Sequence, residues 1–274
     1  MRSSHGDFFV SYQRTFTTLG CPERDLAVVA ALVQAHGLDG AELRFLEGTA
    51  DLPALFARKY SAPAALAAEA ARLGLKVVAL DTSFKLSDET DEAREALKAF
   101  VQWGEALGVR WLRVFDGGKP GDDTARGAML RSMEWWRKLR AGEGWRSDLM
   151  VETHDSLFTA AAIGQFVNAA GGASILWDTH HTWKKGGEDP LVTWAAIKPH
   201  VVHVHVKDSV SRPSARHPFT YVRPGEGEFP AAGLLPVLRR EFAGFVSLEW
   251  ERKWHPYLPP LEEALAAAAR RNWW

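Results

Sequence analysis

The stretch "VVHVHVKDSV", residues 201–210, alternates valine with histidine and lysine. On a β-strand alternate side chains share a face, so Val202, Val204 and Val206 lie on one side and His203, His205 and Lys207 on the other. The valine face reads as core. The opposite face carries two imidazoles and an ammonium, which are costly to bury unless they meet partners or a ligand. What those three side chains face decides the architecture.

Working outward, short β-rich runs alternate with longer helical patterns along the whole chain. The expected strands are 8–12, 41–46, 76–81, 110–115, 149–154, 174–179, 201–206 and 245–250. Between them, segments such as "PERDLAVVAALVQAHG" and "DEAREALKAFVQWGEALG" space apolar residues by three and four and close near a glycine, the pattern of amphipathic helices. Strand starts average about 34 residues apart, the length of a βα unit. Eight such units in one uninterrupted domain, 1–274, predict an α/β fold of the (β/α)₈ TIM-barrel type. A doubly wound open sheet is the alternative, but no G-x-G-x-x-G follows the first strand and no P-loop is present.

Composition narrows the function classes. With 274 residues, 46% hydrophobic and a formal net charge of -1, the chain has no global field that would favour nucleic acid or an anionic membrane. The single cysteine, Cys21, cannot form an intramolecular disulfide, and the opening residues lack the apolar core of a secretion signal, so a cytoplasmic protein is expected. No run is long enough to span a bilayer. The terminal "NWW" reads equally as a homodimer contact or as a tail folded onto its own barrel.

A barrel carries its functional side chains at the C-terminal ends of its strands. Four consecutive expected strands end in such groups: Glu152 with His154 in "LMVETHD", Asp178 in "ILWDTHH", His205 in "VHVHVKD" and Glu249 in "VSLEWE". A lone strand histidine is more often a hydrogen-bonded core residue, and a lone glutamate at a strand end is usually solvated. Together, however, three carboxylates and an imidazole at one barrel mouth cannot all stay ionised without a cation among them. An oxygen-rich set with one nitrogen suits one divalent ion, Mn²⁺, Mg²⁺ or Co²⁺, with Zn²⁺ also allowed.

The motifs "VETHD", "WDTHH", "HVHVKD", "PGEGEFP" and "VSLEWERKWHP" resemble the sugar phosphate isomerase/epimerase family of xylose isomerase-like barrels, whose relatives include D-tagatose 3-epimerase, hydroxypyruvate isomerase, inosose dehydratase and the endonuclease IV class. The resemblance spans nearly the whole chain, with its specific motifs in the second half. It implies Glu152, Asp178, His205 and Glu249 as metal ligands, His181 as a substrate contact, and His203 as a support deeper in the barrel. The second and fourth strands run into "RFLEGTA" and "RVFDGGK" without the histidines that the DNA-repair branch uses for extra metals.

Further substrate contacts are expected from His154, Lys207 and Arg113, from Arg216 and Glu226 in the long 209–229 loop, and from Trp254 after the last strand. Loops of that length often act as active-site lids, and arginines in them can clamp an anion. The activity implied is that of a sugar or sugar phosphate isomerase or epimerase, with Glu152 and Glu249 moving a proton through a metal-bound enediolate. An inosose-type dehydratase is the alternative, and a nuclease relative or a non-catalytic sugar-binding barrel follows behind. The expected partner is a small sugar or polyol, with neither nucleic acid nor membrane.

Overall fold

The computed structural model describes residues 11–273. Eight parallel strands close into a barrel: β1 (Gln13–Thr17), β2 (Gly40–Leu43), β3 (Val77–Lys85), β4 (Trp111–Phe115), β5 (Asp148–Glu152), β6 (Ser174–Asp178), β7 (Val201–Val206) and, last in sequence, β10 (Phe245–Leu248). Closure comes from β1, which pairs with β2 on one side and with β10 on the other. That excludes the open doubly wound sheet. Two further short strands, β8 (Asp208–Val210) and β9 (Thr220–Val222), form an antiparallel hairpin inside the 209–229 loop.

The first strand departs from the sequence reading. Residues 8–10 lie outside the described residues, and pairing begins at Gln13, opposite Phe245. The more apolar "FFVSY" drew the expectation, yet β1 faces a polar barrel interior. There Thr15 Oγ1 lies 2.6 Å from Ser247 Oγ, a contact that hydrophobicity does not announce.

Helices cover the outside: α1 (Leu26–Ala35), α2 (Leu52–Lys59), α3 (Pro63–Arg72), α4 (Asp91–Leu107), α5 (Asp123–Glu143), α6 (Ala160–Ala169), α7 (Pro190–Ile197), α8 (Ala231–Glu241) and α9 (Leu261–Arg270). Their boundaries have local causes. Asp25, Thr90 and Asp122 each accept a backbone N–H of the first turn of α1, α4 and α5, and α4 and α5 stop at Gly108 and Gly144, both in the left-handed conformation at φ 70°. Two helices rather than one join β2 to β3, because Pro63 starts a new helix at its first turn. None of the helices among the described residues is long and apolar enough to cross a membrane.

Alternation then sorts side chains into two layers. Leu149, Val151, Ile175, Trp177, Val204, Val206, Val246 and Leu248 join the main core between strands and helices. Inside the barrel, Ala79, Met150 and Leu176 form a separate small apolar cluster with Trp111 and Val202 against it. Val202 thus departs from the face expected with Val204 and Val206, because the β6–β7 register shifts at the start of β7 and Val201 joins the main core instead. Beyond that cluster, toward the strand C-termini, the interior becomes polar. Trp273 is buried on its own chain beside Phe229, and its carbonyl accepts a hydrogen bond from Tyr12 Oη at 3.0 Å.

Candidate active site

Glu152 ends β5, Asp178 ends β6, His205 lies on β7 and Glu249 follows β10, so the four come from four neighbouring staves of the barrel. One ligand atom from each lies within 4.8 Å of all the others, and all four residues are buried. Glu152 Oε2, Asp178 Oδ2 and His205 Nδ1 lack any hydrogen-bond partner among the described residues. Glu152 Oε2 lies 3.3 Å from Arg113 and Asp178 Oδ2 lies 2.8 Å from Lys207, while Glu152 Oε1 is the oxygen on the His205 side. Buried polar atoms are almost always paired, so hydrogen-bonding capacity left unused at this cluster fits a further partner.

Glu42, on β2, sets the orientation of the imidazole. Its Oε1 lies 2.7 Å from His205 Nε2 and its Oε2 lies 2.6 Å from His203 Nε2. With Nε2 engaged, Nδ1 is the nitrogen turned toward Glu152 and Glu249, at 3.6 and 3.5 Å. Burial opposes ionisation of Glu42, but the two imidazoles outweigh it and hold its carboxyl well below the usual range. Burial also opposes the His205 imidazolium, while the charges of Glu42 and Glu249 raise its pKa well above the ordinary value. The donor set therefore fits a divalent cation: three carboxylates and an imidazole whose tautomer is fixed by a carboxylate behind it.

Lys207 shares this space. Its ammonium is fully buried, 2.8 Å from Asp178 Oδ2 and 2.6 Å from Glu251 Oε1, and bonded to Glu249 Oε2. The contact to Asp178 is an ion pair without the angle of a hydrogen bond. Burial works against the charged form, and the three carboxylates reverse that, holding the lysine pKa well above its usual value. The side chain lines the cavity, but its charge is already committed to carboxylates rather than left for substrate.

A cavity of about 360 Å³ opens above these groups. It brings together six of the seven expected substrate contacts: His154, His181, Lys207, Arg113, Arg216 and Trp254. His181 Nδ1 lies 2.9 Å from Thr153 O and 3.0 Å from Asp178 Oδ2, which leaves Nε2 as the nitrogen available to a ligand. His154 Nδ1 lies 2.7 Å from Asp155 Oδ1; burial disfavours its charged form, but the Asp155 hydrogen bond and the Glu152 charge raise its pKa. Arg113 is turned to structure: its Nη1 donates to Thr82 O at 3.1 Å, and its guanidinium lies 3.3 Å from Glu152 and 3.6 Å from Asp81.

Glu226 is a correction, because it lies outside the cavity, exposed and 3.6 Å from Arg223. Asp208 is the reason. Its two oxygens accept the backbone N–H groups of Ser209, Gly225, Gly227 and Phe229, folding "PGEGEFP" against the hairpin base. Gly225 makes the turn at φ 79°, and Gly227 packs so closely that a Cβ there would sit 2.1 Å from Asp208 Oδ1. The Glu226 side chain is left pointing to solvent.

Glu42, Arg44, Asp81 and Asp208 were not among the expected functional residues. A signal for the first two was present in "GAELRFL", where Glu42 and Arg44 alternate with Ala41 and Leu43 just as the β7 histidines alternate with valines.

A family model described as xylose isomerase-like TIM barrel matches residues 30–273. No curated protein sequence matches significantly. Among solved structures, the probable 3-DHS dehydratase AsbF from Bacillus anthracis superposes with a TM-score of 0.77 at 18% identity, covering 96% of this chain and 100% of that one. A xylose isomerase domain-containing protein from Salmonella typhimurium gives 0.72 at 15% identity, covering 97% of each chain. Endonuclease IV from Thermus thermophilus gives 0.60 at 20% identity, covering 95% and 98%. At these identities the likeness is one of fold.

Proposed function

The chain belongs to the xylose isomerase-like TIM-barrel family, and from the side chains at its cavity floor we propose that it is a divalent-metal-dependent isomerase or epimerase of a small sugar, sugar phosphate or polyol. The observation that carries this reading is the convergence of Glu152, Asp178, His205 and Glu249, with hydrogen-bonding capacity left unused among them. Mn²⁺, Mg²⁺ or Co²⁺ suits that set, and when bound it would polarise a carbonyl and acidify the neighbouring C–H.

The residues divide the remaining work. Burial opposes ionisation of Glu152 and Glu249, but Arg113 holds the first below the usual carboxylate range and Lys207 with His205 holds the second there. Both are therefore anionic at neutral pH and able to accept a proton. They reach the cavity from different strands, so one can remove a proton and the other return it. Return to the opposite face of the same carbon epimerises; return to the adjacent carbon isomerises. His181 Nε2 is free to hold a substrate hydroxyl, and Phe115, Tyr221 and Trp254 wall the cavity against water.

Dehydration is the second reading, and the His154–Asp155 pair favours it. An imidazole at the cavity wall whose proton affinity is raised by Asp155 and Glu152 could protonate a departing hydroxyl. One experiment tests both readings. Metal-loaded protein incubated in D₂O with ketoses, ketose phosphates and inososes should place deuterium beside a substrate carbonyl, and loss of water from the labelled product marks the dehydratase. Glu152→Gln and Glu249→Gln should slow exchange by at least ~10²-fold with metal occupancy measured in the same samples. Undiminished exchange in both variants contradicts the reading.

A further inference from the structure

Arg44, the first residue beyond β2, is 8% exposed, and it lines the cavity beside Arg113. The two arginines differ in what they hold. Arg113 lies against Asp81 and Glu152 and donates to Thr82 O. Arg44 forms no ion pair among the described residues, and its side-chain hydrogen bond is a long donation of 3.4 Å from Nη1 to Asp81 O. A guanidinium carries five N–H donors in a planar fork. Burying it with one weak acceptor is costly, and such a group is made for a bidentate oxyanion.

Its placement agrees. The guanidinium carbon stands 5.2 Å from the centre of the Phe45 ring, which in turn meets Trp254 edge-on at 5.8 Å. The fork is thereby held against a ring that packs behind Trp254, and Arg44 and Trp254 line the cavity together with Glu152 and Glu249. Burial and the neighbouring Arg113 hold its pKa down to about 10, so it is still cationic at neutral pH.

We propose that Arg44 is an oxyanion subsite and that the substrate carries a carboxylate, a sugar acid or polyhydroxy keto acid rather than a neutral sugar. This rests on the function proposed above in that the same cavity binds the substrate. Asp81, Glu152 and Glu249 act on Arg44 only from a distance, and a guanidinium with no ion-pair partner in contact among the described residues matches a monoanion. A phosphate dianion would call on a second cation, and Arg113 is already occupied. The other cavity-lining cations without an ion pair among the described residues, Arg216 and Lys185, are exposed, Lys185 donating to His154 O at 3.1 Å, and a phosphorylated substrate would be recognised by them instead.

Calorimetric titration, on metal-free and metal-loaded protein, with D-gluconate, D-glucitol and D-glucitol 6-phosphate compares one carbon chain with a carboxylate, no charge and a phosphate. Wild-type protein should bind gluconate at least ~10-fold more tightly than glucitol, and Arg44→Met should remove that preference, a loss of roughly 10 to 100-fold for gluconate alone. Arg44→Lys should recover only part of it, since it restores the charge without the fork; if the Met variant does not fold, this one decides. The proposal is overturned if gluconate does not bind, if the gluconate to glucitol ratio survives in both Arg44 variants, or if glucitol 6-phosphate is preferred and the preference follows Arg216→Ala. Metal affinity measured in parallel separates the two readings. Failure of metal binding with an Arg44-dependent acid preference sinks the metal-dependent reaction alone, and intact metal binding without that preference sinks the subsite alone.

Discussion

Glu42 Oε1 lies 2.7 Å from His205 Nε2, and this bond, reaching from β2 across the barrel to β7, determines that Nδ1 is the nitrogen presented to Glu152, Asp178 and Glu249. The same carboxylate binds His203 through its other oxygen, which assigns the two histidines of "HVHVKD" different tasks: His203 steadies Glu42, and Glu42 steadies His205.

Removing that support should be felt at the metal. Glu42→Gln is expected to weaken divalent-ion affinity by roughly 10 to 100-fold, the range for partners that orient a metal-binding histidine, and His203→Ala by less, while His205→Ala loses a ligand and should weaken it most. Competition titration against a chelator ranks the three variants. Equal effects of His203→Ala and His205→Ala would contradict the division of tasks.

Lys207 is the second lever. Its ammonium serves Asp178, Glu249 and Glu251 at once, so Lys207→Met should destabilise metal-free protein by about 3 to 5 kcal/mol, as expected when one partner of a buried ion pair is deleted. A divalent ion at the same carboxylates should restore about 2.7 kcal/mol at a hundredfold excess over Kd. Urea unfolding with and without Mn²⁺ checks this; a variant that gains nothing from the ion would show that its carboxylates do not hold one.

The His154–Asp155 pair gives stability a pH signature. Burial opposes the Asp155 charge, but His154 and Lys85 outweigh it and depress its pKa. Its contribution is therefore present above the unfolded value near 3.9 and lost as pH falls through the depressed folded value. His154 is raised, so its share is present below the unfolded value of about 6.5 and lost as pH rises through the folded one. Asp155→Asn should thus cost most between about pH 4 and 6.5, on the order of 1 kcal/mol because both groups are partly exposed. Urea midpoints for both proteins from pH 2 to 9 test the window; a difference that stays constant through it would show that the pair is not the cause.

Asp208 holds the long loop by gathering four backbone N–H groups. Asp208→Ala leaves those donors without their acceptor and should cost about 3 kcal/mol. Gly227→Ala should act in the same direction, since its methyl would strike Asp208 Oδ1. Limited trypsin digestion at Arg216 should be faster in both variants than in the natural sequence. Unchanged cleavage would show that the loop is held by other contacts.

The sequence made the repeating βα architecture and the four converging residues legible because both follow from strand alternation and from polar groups at strand ends. β7 falls at 201–206 as expected, and β6 and β10 differ from expectation only at their ends. Glu42 was harder to see. Its role depends on histidine partners on β7 that are far away in sequence. Glu226 was misplaced for a related reason: its exposure depends on Asp208 binding Gly225 and Gly227, a long-range contact that no local pattern encodes.

Anomalous scattering from a crystal of the Mn²⁺-loaded protein puts the arrangement of Glu152, Asp178, His205 and Glu249 to the test. One manganese peak is expected, with carboxylate oxygens of Glu152, Asp178 and Glu249 and Nδ1 of His205 as its protein ligands, and with His205 Nε2 still bonded to Glu42. No peak among these four residues, or one beside Glu42 and His203 with His205 joined through Nε2, would contradict it.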